Sequence, residues 1–193
     1  MPWPERLSPR DVLAPLVILG TALAAPSADA GAFLGARMAV DPPSGAQALC
    51  QTYDWACARS AASAPLTPEQ VDVAKRVSRA VNQQFREISD QSQYGREEVW
   101  ALPTSRGGDC EDFALIKKRE LIARGLPADR LMLASVLDRK RKSHAVLVIR
   151  TESGDLVLDN LTDRVLPWHR TGYMFLRMQN PQDAAGWVAV LEG

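Results

Sequence analysis

The chain has 193 residues and carries 23 Lys+Arg against 23 Asp+Glu, so its formal net charge is zero. That length suits one domain with a real hydrophobic core. A neutral balance argues against nucleic acid or an anionic membrane surface as the main partner. We therefore interpret the two basic runs, at 117–119 and 139–142, as solvated faces.

The N-terminus has the pattern of an export signal. Arg6 and Arg10 precede an apolar run over 12–25, and Ala28-Asp29-Ala30 supplies the small residues of a cleavage site. The run is too short for a comfortable transmembrane span. The sequence therefore predicts a signal peptide over 1–30 and a mature domain over 31–193 with no transmembrane segment; an uncleaved N-terminal anchor is the alternative.

The chain contains 3 cysteines, an odd number. In an exported protein this indicates one disulfide and one free thiol. Cys50 and Cys57 are close together in "LCQTYDWAC", whereas Cys110 stands apart. We predict a Cys50–Cys57 disulfide, with a reduced pair packed in a small core as the alternative.

The first half of the mature chain predicts helices. An extended lead-in over 31–45 precedes a short helix over 46–58. Thr67, Pro68 and Gln70 have the spacing of a capping box with proline at the first helical position. Apolar residues then recur at intervals of three and four, which predicts a long amphipathic helix; they are Val71, Ala74, Val77, Val81, Phe85 and Ile88.

The second half predicts one more helix and then a sheet. Asp109 can cap a helix that ends near Gly125 and Pro127. Five apolar segments follow, "LMLASVL", "HAVLVIRT", "DLVLDN", "YMFLRM" and "WVAVLE", with a turn signal at "ESGD". Helices followed by an antiparallel sheet make an α+β domain, with Cys110 at a helix N-terminus packed on the sheet.

Cys110 and His144 have the pattern of a nucleophile and its base. Cys110 lies at the start of a helix, where the backbone N–H groups and the dipole favour a thiolate. His144 begins a strand, and a cysteine with a histidine in this arrangement is typical of nucleophilic catalysis. An inert buried cysteine is the alternative. The other histidine, His169, is interpreted as a surface residue.

Two aspartates compete to orient His144. A simple turn at Ser153-Gly154 would place Asp163 opposite His144 and Asp159 on the same face of the sheet. A bulge or strong twist would instead bring Asp159 to the histidine. The pattern of the residues leaves both candidates open.

Three acids flank Cys110 and need a separate explanation. Negative neighbours raise the pKa of a thiol, which opposes its reactivity. Asp109, Glu111 and Asp112 could cap the helix and complement its dipole. Alternatively, their hard oxygens could bind calcium, which would cancel the repulsion.

Three segments in order, "GGDCEDFALIKKREL", "SHAVLVIRTESGDLVLDNLTDRVLPW" and "TGYMF", resemble the bacterial transglutaminase-like cysteine proteinases, the family of LapG-type periplasmic proteases and their short alphaproteobacterial relatives. The resemblance implies a papain-like or transglutaminase-like α+β fold with a Cys110–His144–Asp159 triad. It also implies calcium bound by Asp109 and Glu111, with Asp112 as a secondary candidate, and places Trp100 in the lining of the active site.

The resemblance implies a periplasmic, calcium-dependent cysteine endopeptidase that cleaves an exported or surface protein, with a biofilm adhesin as one candidate. In the family an inner-membrane cyclic-di-GMP receptor holds the protease inactive, and such a receptor is a candidate partner here. Two alternatives remain: a transglutaminase or amidase that uses the same triad, and a non-catalytic binding module on the same fold.

Overall fold

In the computed structural model, which describes Met1 and residues 31–59 and 64–193, four α-helices accompany one seven-stranded sheet. The helices are α1 (Leu49–Thr52), α2 (Pro68–Gln84), α3 (Asp90–Tyr94) and α4 (Cys110–Ile122). The strands are β1 (Ala39–Val40), β2 (Leu131–Leu137), β3 (Ser143–Thr151), β4 (Gly154–Leu158), β5 (Leu166–Pro167), β6 (Met174–Asn180) and β7 (Asp183–Glu192). The predicted signal peptide lies outside the described residues.

The sheet is antiparallel throughout and runs in the order β1-β7-β6-β2-β3-β4-β5. Helices α2 and α4 pack together, and α4 lies on β3 at the centre of the sheet. Alternate residues of the central strands therefore face two separate cores, one beneath the helices and one on the opposite face. This arrangement confirms the predicted α+β class. Within the part of the chain that is described, no helix is both long and apolar enough to cross a membrane.

Helix α2 begins as the sequence predicts but ends earlier. Thr67 and Gln70 form the capping box in both directions, with Pro68 at the first helical position. The helix ends at Gln84 because Phe85 is extended, with φ −108° and ψ 148°. Ile88 therefore lies outside the helix, and its N–H bonds the Gly108 carbonyl at 2.9 Å. The chain leaving α2 thus runs beside the loop that carries the cysteine.

The predicted helix over 46–58 is three short pieces instead. A 3-10 turn over Ser44–Ala46, helix α1 and a 3-10 turn over Asp54–Cys57 follow one another. A disulfide joins Cys50 to Cys57 across a sequence separation of 7. Tyr53, at φ −136° and ψ 85°, interrupts the helix between the two cysteines. The bridge ties the two helical pieces together.

The solvated face predicted for 117–119 is wrong for Lys117 and Lys118, both of which are 0% exposed. The reason is the central position of α4, which is covered by α2 on one side and by the sheet on the other. Lys118 Nζ donates to Gln179 Oε1 at 2.6 Å. Burial lowers the pKa of Lys118 to about 7, against a smaller opposing effect of Asp129.

Replacing Lys118 with methionine should flatten the pH dependence of stability. The pKa in the folded chain lies near 7, below the unfolded value near 10.4. Because the unfolded chain binds more protons than the folded chain between these values, Lys118 raises the free energy of unfolding as the pH rises. Wild type should gain on the order of a few kcal/mol in unfolding free energy across that window, and Lys118→Met should gain less. Urea denaturation at about pH 7 and about pH 9.5 measures this difference. Lys75→Met, on the exposed surface, is the control and should keep the wild-type slope.

The β3–β4 hairpin turns one position earlier than the sequence predicts. Thr151 pairs with Gly154, so Glu152 and Ser153 form the turn instead of Ser153 and Gly154. Gly154 has φ +136°, and a Cβ there would lie 2.6 Å from the Ala32 carbonyl oxygen. The glycine is therefore needed inside the strand, where the N-terminal segment crosses it. The predicted pairing of Asp163 with His144 is wrong for the same reason.

Candidate active site

Two glycines shape the loop that delivers Cys110 to the first position of α4. Gly107 has φ +126°, and an added Cβ would collide with the Arg86 carbonyl. At Gly108 an added Cβ would lie 2.5 Å from Asp112 Oδ2. The Gly108 N–H also bonds the Arg86 carbonyl at 3.1 Å. The loop therefore fits closely between the end of α2 and the acids that follow the cysteine.

His144 is held by Asp159, not by Asp163. His144 Nε2 lies 2.9 Å from Asp159 Oδ1, and both side chains are buried. Asp163 Oδ1 instead accepts a hydrogen bond from Asn82 at 3.0 Å. Strand β4 ends at Leu158, so Asp159 is free of the strand's alternation and can turn toward the histidine. The structure thus distinguishes the two acids that the sequence pattern left open.

Asp159 is further fixed by two donors. The Leu161 N–H donates to Oδ1 at 3.0 Å, and the Tyr173 hydroxyl donates to Oδ2 at 2.6 Å. Burial alone would raise the pKa of Asp159, but the His144 hydrogen bond and charge, together with these two donors, outweigh it and lower the pKa. Burial and the Asp159 carboxylate raise the pKa of Tyr173, so its hydroxyl stays protonated and donates. Sequence reasoning assigned no role to Tyr173.

The hydrogen bond through Nε2 decides which ring nitrogen remains for the cysteine. With Asp159 an acceptor on Nε2, that nitrogen carries the proton and Nδ1 is the free base. Cys110 and His144 line one cavity of about 350 Å³. Trp100 lies in the same lining, as the resemblance implied, and packs edge-on against Trp187 at 5.8 Å.

The Cys110 thiol contacts the neighbouring glutamate. Cys110 Sγ donates to Glu111 Oε2 at 3.1 Å. Burial, and then the neighbouring Glu111 and Asp109 carboxylates, raise the pKa of Cys110 far above its usual range, while the Ala145 backbone N–H opposes them. Burial and Asp109 also raise the pKa of Glu111 to about 8. The acids beside the cysteine therefore suppress the thiolate unless another charge offsets them.

Among the described residues, three aspartates converge behind the cysteine. One carboxylate oxygen from each of Asp90, Asp109 and Asp112 lies within 4.8 Å of the others. Each also has an oxygen fixed by a backbone N–H. Asp109 Oδ2 accepts from Asp90 at 3.0 Å, Asp112 Oδ1 from Ala101 at 2.9 Å, and Asp90 Oδ2 from Val99.

The remaining oxygens of the three aspartates, Asp90 Oδ1, Asp109 Oδ1 and Asp112 Oδ2, are buried and have no protein partner. Buried carboxylate oxygens without partners are costly. A hard divalent cation with oxygen ligands, such as calcium, fits this donor set. Burial, with Asp109 and Asp90 nearby, also raises the pKa of Asp112 to about 7.

Asp109 and Asp112, two of the three predicted ligands, belong to this cluster. Glu111 stays a predicted ligand, and in the structure its Oε2 accepts the Cys110 thiol. Asp90 joins the cluster from the start of α3, 19 residues before Asp109. The capping interpretation is wrong for Asp109, whose side chain makes no cap hydrogen bond to α4. No local spacing signal links Asp90 to the cysteine loop.

Three comparisons with known proteins bear on this site. Residues 36–193 match the family described as bacterial transglutaminase-like cysteine proteinase. Among solved structures, calcium-bound LapG of Legionella pneumophila is 28% identical, with a TM-score of 0.54 over 67% of this chain and 74% of that chain. EGTA-treated LapG from the same organism is also 28% identical, with a TM-score of 0.50 over 60% of this chain and 66% of that chain. No curated protein matches the chain.

The family match covers most of the chain and includes every residue of the cavity and the aspartate cluster. The similar structures share the α+β fold seen here. The family match and the similar structures give this chain the catalytic class of a transglutaminase-like cysteine peptidase. The chain belongs to the bacterial transglutaminase-like cysteine proteinase family.

Proposed function

We propose that the chain is a periplasmic, calcium-dependent cysteine endopeptidase that cleaves an exported or surface protein with a Cys110–His144–Asp159 triad. The observation that carries this proposal is the 2.9 Å hydrogen bond between His144 and Asp159 in a cavity shared with Cys110. It leaves His144 Nδ1 as the base for the only cysteine outside the disulfide.

The proposed reaction begins with proton transfer from the thiol. His144 Nδ1 takes the proton from Cys110 Sγ as sulfur attacks the peptide carbonyl carbon. The imidazolium that forms is stabilised by the Asp159 carboxylate, whose lowered pKa keeps it ionised. Tyr173 and Leu161 hold that carboxylate in place through its two oxygens.

Collapse of the tetrahedral adduct then breaks the peptide bond. The imidazolium gives its proton to the leaving amine, and Cys110 keeps the acyl group as a thioester. Water, deprotonated by His144, attacks the thioester, the acid leaves, and the thiol is regenerated. Backbone N–H groups in the first turn of α4 have no intrahelical carbonyl partners and can stabilise the oxyanion in both steps.

Two observations support the calcium requirement. Three buried aspartate oxygens have no protein partner, and the similar LapG structures were determined in calcium-bound and EGTA-treated forms. Asp90, Asp109 and Asp112 would hold the ion. When bound, calcium would supply positive charge beside Cys110 and hold its loop against α3. The triad residues carry out the bond-making steps.

Periplasmic location is supported by the signal pattern over 1–30 and by the Cys50–Cys57 disulfide, a bond typical of oxidising compartments. A biofilm adhesin is one candidate substrate, and an inner-membrane cyclic-di-GMP receptor is one candidate regulator. Both remain predictions from the family resemblance.

Comparing the N-termini of exported and surface proteins in wild-type cells and in Cys110→Ala cells tests the proposed function. We expect a new N-terminus that requires Cys110, because cleavage exposes one and the alanine variant lacks the nucleophile. His169→Ala, which changes the exposed histidine outside the cavity, is the control and should leave that N-terminus in place.

Two results would count against a peptidase. Identical N-termini in both strains, with incorporation of a labelled amine into exported proteins, would indicate a transferase on the same triad. Identical N-termini with no amine incorporation would favour a non-catalytic binding module.

A further inference from the structure

A second cavity, of about 480 Å³, lies beside the triad and is lined by more cationic than acidic residues. We name it the basic cleft. Four cationic residues line it, Arg139, Lys140, Lys142 and Arg164. Three of them come from the β2–β3 loop, and Arg164 comes from the segment between β4 and β5, so the fold brings together charges that are distant in sequence.

Two acids, Glu87 and Asp138, also line the basic cleft, so the four cationic residues leave it an excess of two positive charges. Within the described residues, none of the four cationic side chains forms an ion pair. Asp138 lines the cleft, but its Oδ1 accepts the N–H groups of Lys140 and Lys142 at 2.7 and 2.9 Å. The Asp138 carboxylate thus organises the loop, and Lys140 and Lys142 are exposed.

The loop is built to present these charges. Arg141 has φ +61°, a left-handed conformation that is costly for arginine. Arg139 Nε donates to the Thr171 carbonyl at 2.7 Å, which anchors the loop to the segment before Tyr173. The run at 139–142, interpreted from sequence as a solvated face, is therefore one wall of a defined cavity.

The basic cleft meets the triad at Tyr173. This residue lines the cleft, donates to Asp159 at 2.6 Å and packs edge-on against His144 at 5.7 Å. Lys142, which lines the cleft, immediately precedes β3, whose first two residues, Ser143 and His144, line the Cys110 cavity. A chain bound across Cys110 and His144 would continue into the cleft.

The cavity that holds Cys110 has the opposite character. Of its described lining residues, five are acidic and none is lysine or arginine; they are Asp90, Glu97, Glu98, Asp109 and Glu111. Glu97 and Glu98 lie outside the aspartate cluster, so even with calcium bound an acidic stretch of substrate would be repelled there and attracted by the basic cleft. The charge contrast therefore gives the bound chain a direction.

We propose that the basic cleft binds an acidic segment of the protein substrate on one side of the scissile bond. The proposal rests on the proposed endopeptidase function and names its substrate class. Because one extended residue spans about 3.3 Å and Tyr173 of the cleft packs 5.7 Å from the His144 ring, the acidic side chains should lie within a few residues of the bond that is cut.

Binding of fluorescent peptides to the Cys110→Ala protein tests the cleft without catalysis. An oligoglutamate peptide should bind, and the matched oligolysine peptide should not. Adding Lys140→Glu, Lys142→Glu and Arg164→Glu should weaken oligoglutamate binding by at least about tenfold, since three attractive charges become repulsive. Arg139 is left unchanged because its side chain anchors the loop.

The control is a triple variant with the same change in net charge on α2, Lys75→Glu, Arg76→Glu and Arg79→Glu. It should bind oligoglutamate as tightly as the parent does. Equal weakening in both triple variants would overturn the proposal, because net charge alone would explain it. Anionic phospholipid vesicles that bind more tightly than oligoglutamate would also overturn it, by marking a lipid surface. Since binding is measured without a nucleophile, this outcome is independent of whether Cys110 cleaves a substrate.

Discussion

Replacing His144 with alanine should slow alkylation of Cys110 by iodoacetamide, measured in calcium buffer near neutral pH, by about 100-fold or more. Burial and the Glu111 and Asp109 carboxylates raise the pKa of the Cys110 thiol, so almost no thiolate forms without a base. In the proposed triad His144 would provide that base through Nδ1, while its Nε2 bonds Asp159 at 2.9 Å. Rates of carbamidomethylation at Cys110, followed by mass spectrometry, give the measurement.

The matched control is the second histidine. His169 is exposed, packs only its ring against Trp168 and lines neither the nucleophile cavity nor the basic cleft. His169→Ala should be alkylated at the wild-type rate. If His144→Ala and His169→Ala react equally fast, His144 is not the base, and the triad assignment fails.

Removing calcium should destabilise the protein and protect the thiol from alkylation. A ligand at about 100 times its Kd adds about 2.7 kcal/mol to the unfolding free energy. For a chain of this size, that corresponds to a rise in melting temperature of about 5 to 10 °C. Thermal unfolding with excess calcium and with excess EGTA measures the shift, and the alkylation rate of Cys110 should fall in EGTA.

Variants of the aspartate cluster separate this effect from general salt effects. Asp90→Asn and Asp112→Asn each remove one of the three carboxylate charges of the cluster. Both variants should therefore lose most of the calcium-dependent rise in melting temperature. Asp163→Asn, which changes an acid outside the cluster, should keep it. A calcium-dependent rise that survives in both cluster variants would show that the ion binds elsewhere.

The sequence predicts the elements whose signals are local. The capping box of Thr67 and Gln70 marks the start of α2, and the glycine at 125, with φ +82°, follows α4 as expected. The register of the β3–β4 hairpin is not local in this sense. It depends on the N-terminal segment, whose Ala32 carbonyl accepts the Asp155 N–H at 2.8 Å and crowds Gly154. A turn rule applied to "ESGD" alone cannot include that contact.

In the candidate site, too, some residues have a local sequence signal and others are placed only by tertiary contacts. Cys110 and His144 could be singled out from their positions at a helix start and a strand start. Asp90 could not, because it joins Asp109 only when α3 folds back on the cysteine loop. Lys117 and Lys118 misled the sequence interpretation because two adjacent lysines on a helix usually face water, and the burial of α4 on both sides is a tertiary property.

The disulfide has a consequence for oxidative damage. With Cys50 and Cys57 joined, Cys110 is the only thiol in a chain of 3 cysteines. If it is oxidised to a sulfenic acid, no second thiol in the molecule can resolve it, so recovery depends on an external reductant. Cys110 Sγ donates to Glu111, and a thiol that holds its proton is oxidised more slowly than a thiolate. Activation would remove that protection, so the working enzyme would be more sensitive to peroxide than the resting one.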